Sequence, residues 1–487
     1  MQKIIGRKGE RKEFERLYKS GSPEFVAVFG RRRVGKTYLI REHFGGRFAF
    51  YHTAISPADF AERKADMQRI QLQAFCSTIQ QYGGEWDTMP RDWFEAFDCL
   101  RALLEQRSGQ GRMLVFIDEL PWMDTNRSGF VSALEHFWNS WGAGQAELML
   151  IVCGSAASWM NDKIINNTGG LYGRLTYEMH LPPFNLAECE EFYQSRGINM
   201  DRYDQLECYM ALGGIPYYLN YLSPEASLAE NIDRLFFAKN GKLSKEFERL
   251  YRSLFSQSDK YIAIVRLLAT KRSGFTRKEI AEHTSIAYNG RLTKMLQSLV
   301  SSDFVHPYTY YGGSTRNIYY KLVDRLSHFH LRFIDGQQSA RPGFWTKNLR
   351  TPALNSWRGL AFEDLCLIHQ QQIKRALGFG AVDAIAAPWR SSSGNAQVDL
   401  LFDRSDRVVN LCEMKFVSEE FSVDKDYEAA LRQKVARFVD STSCRKSVHL
   451  SLVTTYGLKG NKYAGRFQSV VTMDDLFVAE RSSSKRT

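Results

Sequence analysis

The sequence predicts an α/β protein built on a parallel sheet, and three observations carry that prediction. Apolar runs alternate with amphipathic stretches through the first third of the chain, as parallel strands joined by crossover helices require. The run FVAVF leads into GRRRVGKT, residues 30–37, a glycine-rich turn followed by the helix-like TYLIREHF. A second run, MLVFIDEL, ends in the acids Asp118 and Glu119. Strands are predicted at 25–29, 48–52, 113–118, 148–153 and 177–181, with helices at 60–82 and 93–105 between the second and third.

The turn satisfies GxxxxGK[ST], a pattern that aims backbone N–H groups and a helix N-terminus at a polyphosphate. Gly30 and Gly35 allow the close turn, and Arg31, Arg32, Arg33 and Val34 fill it. Lys36 reaches the β and γ phosphates, the Thr37 hydroxyl is placed for Mg²⁺, and Tyr38 opens the helix. A phosphate loop needs a metal-binding carboxylate and a group that orients water. Asp118 suits the metal shell and Glu119 the water, so the pair predicts ATP and Mg²⁺ as ligands.

A chain of 487 residues is too long for one core and points to about three domains. With 44% hydrophobic and 24% charged residues the composition is that of a soluble globular protein. Apolar runs such as LMLIVC fall far short of the roughly twenty residues of a membrane span, and MQKIIGRKGERKEF lacks a signal-peptide core, so a cytoplasmic location is expected. Eight cysteines form no CxxC or Cys/His spacing, which excludes a disulfide framework or zinc site as the organising principle. The net charge of +11 favours a polyanionic partner, and residues 256–335, with twelve Lys and Arg against six Asp and Glu, carry +6 of it.

Four segments are expected: a nucleotide-binding core at 1–184, a helical lid at 185–245, a winged helix at 256–335 and a terminal domain at 351–480. The lid begins with the cap-like NLAECEEF and lacks strand signals. In the third segment KYIAIVRLLAT, TRKEIAEH with Thr276 as cap, and GRLTKMLQSLV read as three helices. Leu292, Met295, Leu296 and Leu299 share one face of the third, away from Arg291 and Lys294. The alternating FVHPYTYYGGSTRNIYYKLVD gives a hairpin wing whose Arg316 and Lys321 could reach a phosphate backbone; use as a DNA contact or as an interdomain joint both remain open.

The terminal domain centres on QVDLLFDRSDRVVNLCEMKF. A hairpin turning near Asp406 sets Asp399 opposite Glu413, with Lys415 on the same face because side chains alternate. Adjacent carboxylates repel, so a cation between them, with a lysine beside it to position water, is a chemically reasonable phosphodiesterase site. The helix-like RGLAFEDLCLIHQQQ adds Glu363, and Gln433 is a further polar candidate. The tail RSSSKRT reads as disordered.

Taken in order, IGRKGE, VFGRRRVGKT, FIDELPWM, CGSAASWM, LYGRLTYEMHLPPF, GGIPYYL and the terminal RGLAFED, VDLL and CEMK make the chain resemble one family. It is similar to the archaeal-type P-loop ATPases of the AAA+/STAND-like grouping, whose members often end in the PD-(D/E)XK-like domain of unknown function 234. The resemblance implies that Ile5 to Arg7, with Glu10, packs near the adenine base. It further implies that Ser155 senses the γ phosphate, that Arg174 is an arginine finger, and that Pro216 of GGIP rests on the nucleotide base. In the terminal domain it implies Asp399, Glu413 and Lys415 as nuclease signature residues with Glu363 auxiliary, although QV replaces the usual PD dipeptide. The expected function is a Mg²⁺-dependent ATPase that moves a winged helix and a nuclease-like effector on DNA, with homo-oligomerisation if Arg174 acts between subunits. The alternatives are a nucleotide-gated switch that binds a protein partner through an inactive nuclease fold, and a DNA-binding regulator.

Overall fold

The computed structural model describes residues 3–56, 67–336, 341–392 and 394–479. They form two compact units. The first comprises the chain up to Pro183 with Ser253–Ser256 and Met295–Asp303, and the second comprises Phe184–Arg252, Gln257–Lys294 and the chain from Phe304.

The first unit is organised by five parallel strands: β1 Glu24–Phe29, β2 Phe50–Thr53, β3 Met113–Asp118, β4 Leu148–Gly154 and β5 Tyr177–His180. Their order is β2-β3-β4-β1-β5, all pairs parallel. β1, β3 and β4 are apolar along almost their whole length, as strands covered on both faces must be. Each expected strand falls within two residues of an observed one. The helix 93–105 is observed as Trp93–Glu105, capped by Asp92, whose carboxylate accepts from Glu95 N. Of the helix expected at 60–82, residues 60–66 lie outside the described residues and the remainder is Met67–Gln81.

Because β4 lies between β1 and β3, the carboxyl ends of all three open on one edge. Phe29 is in register with Gly154, and Asp118 with Thr53. In an open parallel sheet this edge is where ligands bind. One aromatic and aliphatic core, including Phe25, Phe75, Trp93, Phe130 and Trp138, anchors the sheet behind it.

In the second unit, the residues up to Ile232 are helical, including Leu186–Ser195, Arg202–Leu212 and Pro216–Leu219, with no strand among them. The first helix carries the capping box announced by NLAECEEF: Asn185 accepts from Glu188 N while Glu188 accepts from Asn185 N. Helices Ser258–Thr270, Arg277–Thr284 and Gly290–Ser301 follow, and Thr276 with Glu279 forms the expected cap of the second. A three-stranded antiparallel sheet, β6 Phe275–Thr276, β7 Val305–Tyr308 and β8 Tyr319–Leu322, runs in the order β6-β8-β7. Two-residue β6 has no period of its own and exists because β8 offers it a partner.

The terminal α/β segment holds five strands, β9 Ala384–Arg390, β10 Gln397–Arg404, β11 Val408–Lys415, β12 Ser447–Thr454 and β13 Ser469–Val471, ordered β13-β12-β11-β10-β9. β10 and β11 are the hairpin read from the sequence, turning through Ser405, Asp406 and Arg407, the last at φ 67°. Val398, Leu401, Leu411, Leu431 and Phe438 join this sheet to the helix Lys425–Thr442. The helix expected over RGLAFEDLCLIHQQQ is Pro352–Ile368, then breaks at His369 before Gln370–Ala376. His369 Nδ1 donates to Leu365 O (3.0 Å) and Nε2 accepts from Leu186 N (3.3 Å), so a tertiary hydrogen bond fixes the break. All eight cysteines are free thiols.

Candidate functional site

The phosphate-loop site is assembled at the carboxyl edge of β1, β3 and β4. Gly30 sits at φ 141°, and a Cβ there would lie 2.4 Å from Leu181 O, so no other residue fits. Gly35 at φ 92° caps the helix Lys36–Phe44 at its start, and Arg33 shares the left-handed region at φ 76°. The tight loop buries Arg31, Val34 and Lys36 and leaves Tyr38 exposed. Lys36 Nζ donates to Gly30 O (2.9 Å) and Arg31 O (3.0 Å), which centres its ammonium in the loop. Arg32 lies over the Trp122 ring, 5.9 Å from its centroid.

Across the loop, Thr37 Oγ1 donates to Asp118 Oδ2 at 2.7 Å. Asp118 is 2% exposed. Burial, and then the neighbouring Glu119 charge, raise its pKa against the opposing bond from Thr37. A buried carboxylate and a hydroxyl are hard oxygen donors, and a divalent cation would relieve the crowded negative charge. The donor set fits Mg²⁺. Glu119, held at φ 53°, accepts from Ser155 N (3.1 Å) and from Ser155 Oγ (2.8 and 2.9 Å to its two oxygens).

The FIDELPWM and CGSAASWM segments are therefore one structure. Gly154 permits it, since a Cβ there would stand 2.8 Å from Pro121 Cδ and from Met160 Sδ. Trp159 Nε1 adds a bond to Asp124 Oδ2 at 2.9 Å. Arg7, at φ 53°, donates to Pro182 O at 2.6 Å and lies 3.6 Å from Glu10, which fixes the segment that includes Ile5. Arg174 is exposed on the turn before β5, beside Tyr172 at 76% exposure, and its side chain has no hydrogen bond or ion pair among the described residues.

In the second unit Pro216 is the first residue of its helix, as its fixed φ favours. Gly214 before it is obligatory, because a Cβ would lie 1.8 Å from Phe184 O.

The terminal segment gathers a different set. The β10–β11 register runs to Leu400 paired with Cys412, one residue short of Asp399 and Glu413, where β10 also shifts register against β9. Glu413 accepts from Tyr427 Oη at 3.2 Å and is ion-paired with Lys434, both on the helix Lys425–Thr442. Lys415 Nζ stands 5.2 Å from the centre of the Tyr427 ring, on that same face. Burial, and then Glu413, push the Tyr427 hydroxyl pKa up. Gln433 is exposed, and it is its neighbour Lys434 that reaches the acid.

Glu363, on the helix Pro352–Ile368, is ion-paired with Arg272. Its pKa is raised by burial and then by Asp399, with Arg272 acting against both. Glu363, Asp399 and Glu413 do not converge as a trio. Among the described residues only Glu248, His330 and Asp335 bring three ligand atoms within 4.8 Å of one another, and there Arg266 already engages Asp335 at 2.8 and 3.1 Å.

The expectation that Lys321 faces a phosphate backbone is corrected: it pairs with Asp364 at 2.5 Å and is largely buried. Arg325 joins the same carboxylate at 3.1 Å, and these cations hold the Asp364 pKa far down against burial. Removing one partner of so buried a group costs about 3–5 kcal/mol, so Lys321 is structural. Arg291, Lys294 and Arg316 are exposed as expected. Lys434, Tyr427 and Arg272 went unrecognised in the sequence. For Lys434 a helical spacing of seven from Tyr427 was the available signal, while nothing local marks Arg272.

This geometry defines a P-loop ATPase domain. Residues 5–222 match the family described as an ATPase domain predominantly from Archaea, which supports ATPase activity for this part of the chain. The chain is 24% identical over 369 residues to "Uncharacterized protein MJECL04" of Methanocaldococcus jannaschii, spanning 74% of this chain and 75% of that one. Among solved structures it is similar to the Walker-type ATPase PABY2304 of Pyrococcus abyssi, with 20% identity, 68% and 96% of the two chains covered and a TM-score of 0.47. It is also similar to the ORC2 protein of Aeropyrum pernix, at 15% identity, 76% and 96% coverage and a TM-score of 0.42. No helix among the described residues is long and apolar enough to cross a membrane.

Proposed function

We propose that this protein is a Mg²⁺-dependent ATPase whose nucleotide state repositions a winged helix, residues 256–335, and a nuclease-like terminal domain, residues 351–480, acting on DNA. The observation that carries the hydrolytic part is the chain of contacts Lys36–loop carbonyls, Thr37–Asp118 and Glu119–Ser155 on one sheet edge. Lys36 meets the β and γ phosphates, and the loop N–H groups orient them. Thr37 and Asp118 would hold Mg²⁺, which would supply charge neutralisation for the phosphates. Glu119 orients the attacking water, and Ser155, bonded to both Glu119 oxygens, fixes the direction from which that carboxylate accepts the proton.

Transmission is supported by chain continuity, since the helix Gly290–Ser301 contributes residues to both compact units. Action on DNA is supported by the +6 charge of residues 256–335 and by exposed Arg291, Lys294 and Arg316. Pairing of Glu413 with Lys434 and of Glu363 with Arg272 favours a second reading, in which the terminal fold is a regulatory docking module without cleavage.

One experiment separates the two. The full chain is assayed for ATP hydrolysis and for DNA and RNA cleavage, with Mg²⁺ or Mn²⁺ and with EDTA, beside Asp399→Ala. The first reading expects metal-dependent hydrolysis of ATP in both proteins and nicking in the wild type alone. Hydrolysis without cleavage of any substrate selects the second.

A further inference from the structure

The turn between the helices Arg277–Thr284 and Gly290–Ser301 sends its apolar side chains in opposite directions. Ile286 enters the core at 8% exposed, whereas Tyr288, two residues on, is held outside at 57%. Ser285 starts the turn at φ 55°. Asn289 ends it, its N–H donating to Ala287 O at 2.9 Å and its Oδ1 accepting from Arg291 N at 2.9 Å. A hydrogen-bonded backbone thus presents an aromatic ring to water.

The ring itself is also fixed. The Arg277 guanidinium lies over it, 4.2 Å from its centre, and Arg277 Nη1 donates to Thr293 Oγ1 at 2.5 Å. One side chain therefore ties the start of the first helix to the first turn of the second, with the phenol clamped against it. A guanidinium over one face leaves the other face for a second flat group.

Charge of one sign surrounds this ring. From His283 to Ser302 the sequence contains no Asp or Glu, and Arg291 and Lys294 within that stretch are both exposed. The acids of the preceding helix are already engaged. Glu279 completes the cap at Thr276 and pairs with Lys271 at 3.1 Å, and Glu282 stands 3.9 Å from Lys278. A lone exposed tyrosine is ordinary. One stacked on an arginine in a basic stretch without acids is matched to a polyanion that carries flat rings.

We propose that Tyr288 and Arg277 form a stacking platform for an unpaired nucleobase, so that the nucleic acid engaged here is a single strand or a duplex with an unpaired region. The proposal rests on reading residues 256–335 as the DNA-binding segment and names the form of nucleic acid it takes. In a closed duplex each base is stacked on both faces and offers no plane to a side chain, whereas a single strand does. Arg291 and Lys294 supply backbone contacts that weaken with salt, and Tyr288 supplies a contact that does not.

The test measures fluorescence anisotropy of labelled oligothymidylate, oligouridylate and a blunt duplex of equal length, titrated with the full chain over a range of salt concentrations. The wild type should bind the single strands more tightly than the duplex, and the better bound of the two identifies DNA or RNA as the source. Tyr288→Ala should weaken single-strand binding about tenfold without changing its salt dependence, and Tyr288→Phe should retain it. Arg291→Ala should weaken single strand and duplex alike and lower the salt slope by roughly one. Matching thermal midpoints of Tyr288→Ala and the wild type keep the comparison independent of folding. If Tyr288→Ala binds the single strands as the wild type does while Arg291→Ala still weakens them, the DNA-binding reading stands and the platform fails. An equal loss on the duplex also overturns the platform. If the wild type binds none of the three probes, the DNA-binding reading fails and the proposal with it.

Discussion

The two acidic sites differ in what holds their charged groups. In the first unit Thr37, Asp118, Glu119 and Ser155 bond to one another at the ends of adjacent parallel strands, and Lys36 bonds to main-chain carbonyls. Among the described residues neither Asp118 nor Glu119 is ion-paired with a lysine or arginine. In the terminal segment Glu413 and Glu363 each take a cation from a separate helix or turn. The first arrangement leaves negative charge for a metal and water to use; the second satisfies it within the chain. Backbone geometry sets the first arrangement, and side-chain ion pairs engage the acids of the second.

The sharpest way to break this comparison is at the first site. Glu119→Gln should cut ATP turnover by about 10²–10⁴-fold with nucleotide binding retained, since metal ligation is left to Thr37 and Asp118. Lys36→Ala should cost on the order of 10²–10³-fold or more by removing the loop ammonium. Steady-state turnover beside fluorescent-nucleotide binding reads both. Near-wild-type turnover in either variant would mean that the contacts are structural.

A smaller effect is expected for Arg174→Ala. Its exposed side chain, without a partner among the described residues, suits action from one subunit on another, so turnover should fall by about tenfold or more while nucleotide binding holds. Wild-type specific activity should rise with protein concentration. Concentration-independent activity would confine Arg174 to its own chain.

Acid should sharpen the contrast between the units themselves. Burial lowers His52 of the first unit to about 4, and lowers His328 and His369 of the second to about 4 as well. Between that value and the ordinary 6.5 the unfolded chain binds the proton and the folded chain does not. Stability therefore falls as pH drops below 6.5, by about 2 kcal/mol per histidine at pH 5. With two such groups against one, the second unit should loosen first. Limited proteolysis at pH 7 and pH 5, mapped by mass spectrometry, should show new cuts there, and equal susceptibility of both units would contradict the expectation.

Much of the first site was legible because its signals are local. Asp118 ends an apolar run, Gly30 and Gly35 bracket a turn that needs their backbone freedom, and Thr276 and Asn185 announce capping boxes within four residues. The hairpin of β10 and β11, which carries Asp399 and Glu413, follows from equally short-range signals. Nothing of the kind marks Arg272, paired with a glutamate 91 residues away, or Lys321, read as exposed and found inside. Strands β9, β12 and β13 went unread, and the break at His369 depends on the main chain of Leu186.

By itself, then, the chain determined its parallel sheet, its phosphate loop and which residue types stand at the carboxyl ends of its strands, because strand period, turn conformation and helix capping are settled by neighbours a few residues apart. Only the tertiary structure decided which cation meets which acid. A lysine or arginine carries its charge on a long, rotatable stem, and its choice between water, a phosphate and a buried carboxylate is made by what distant segments bring within about 3 Å.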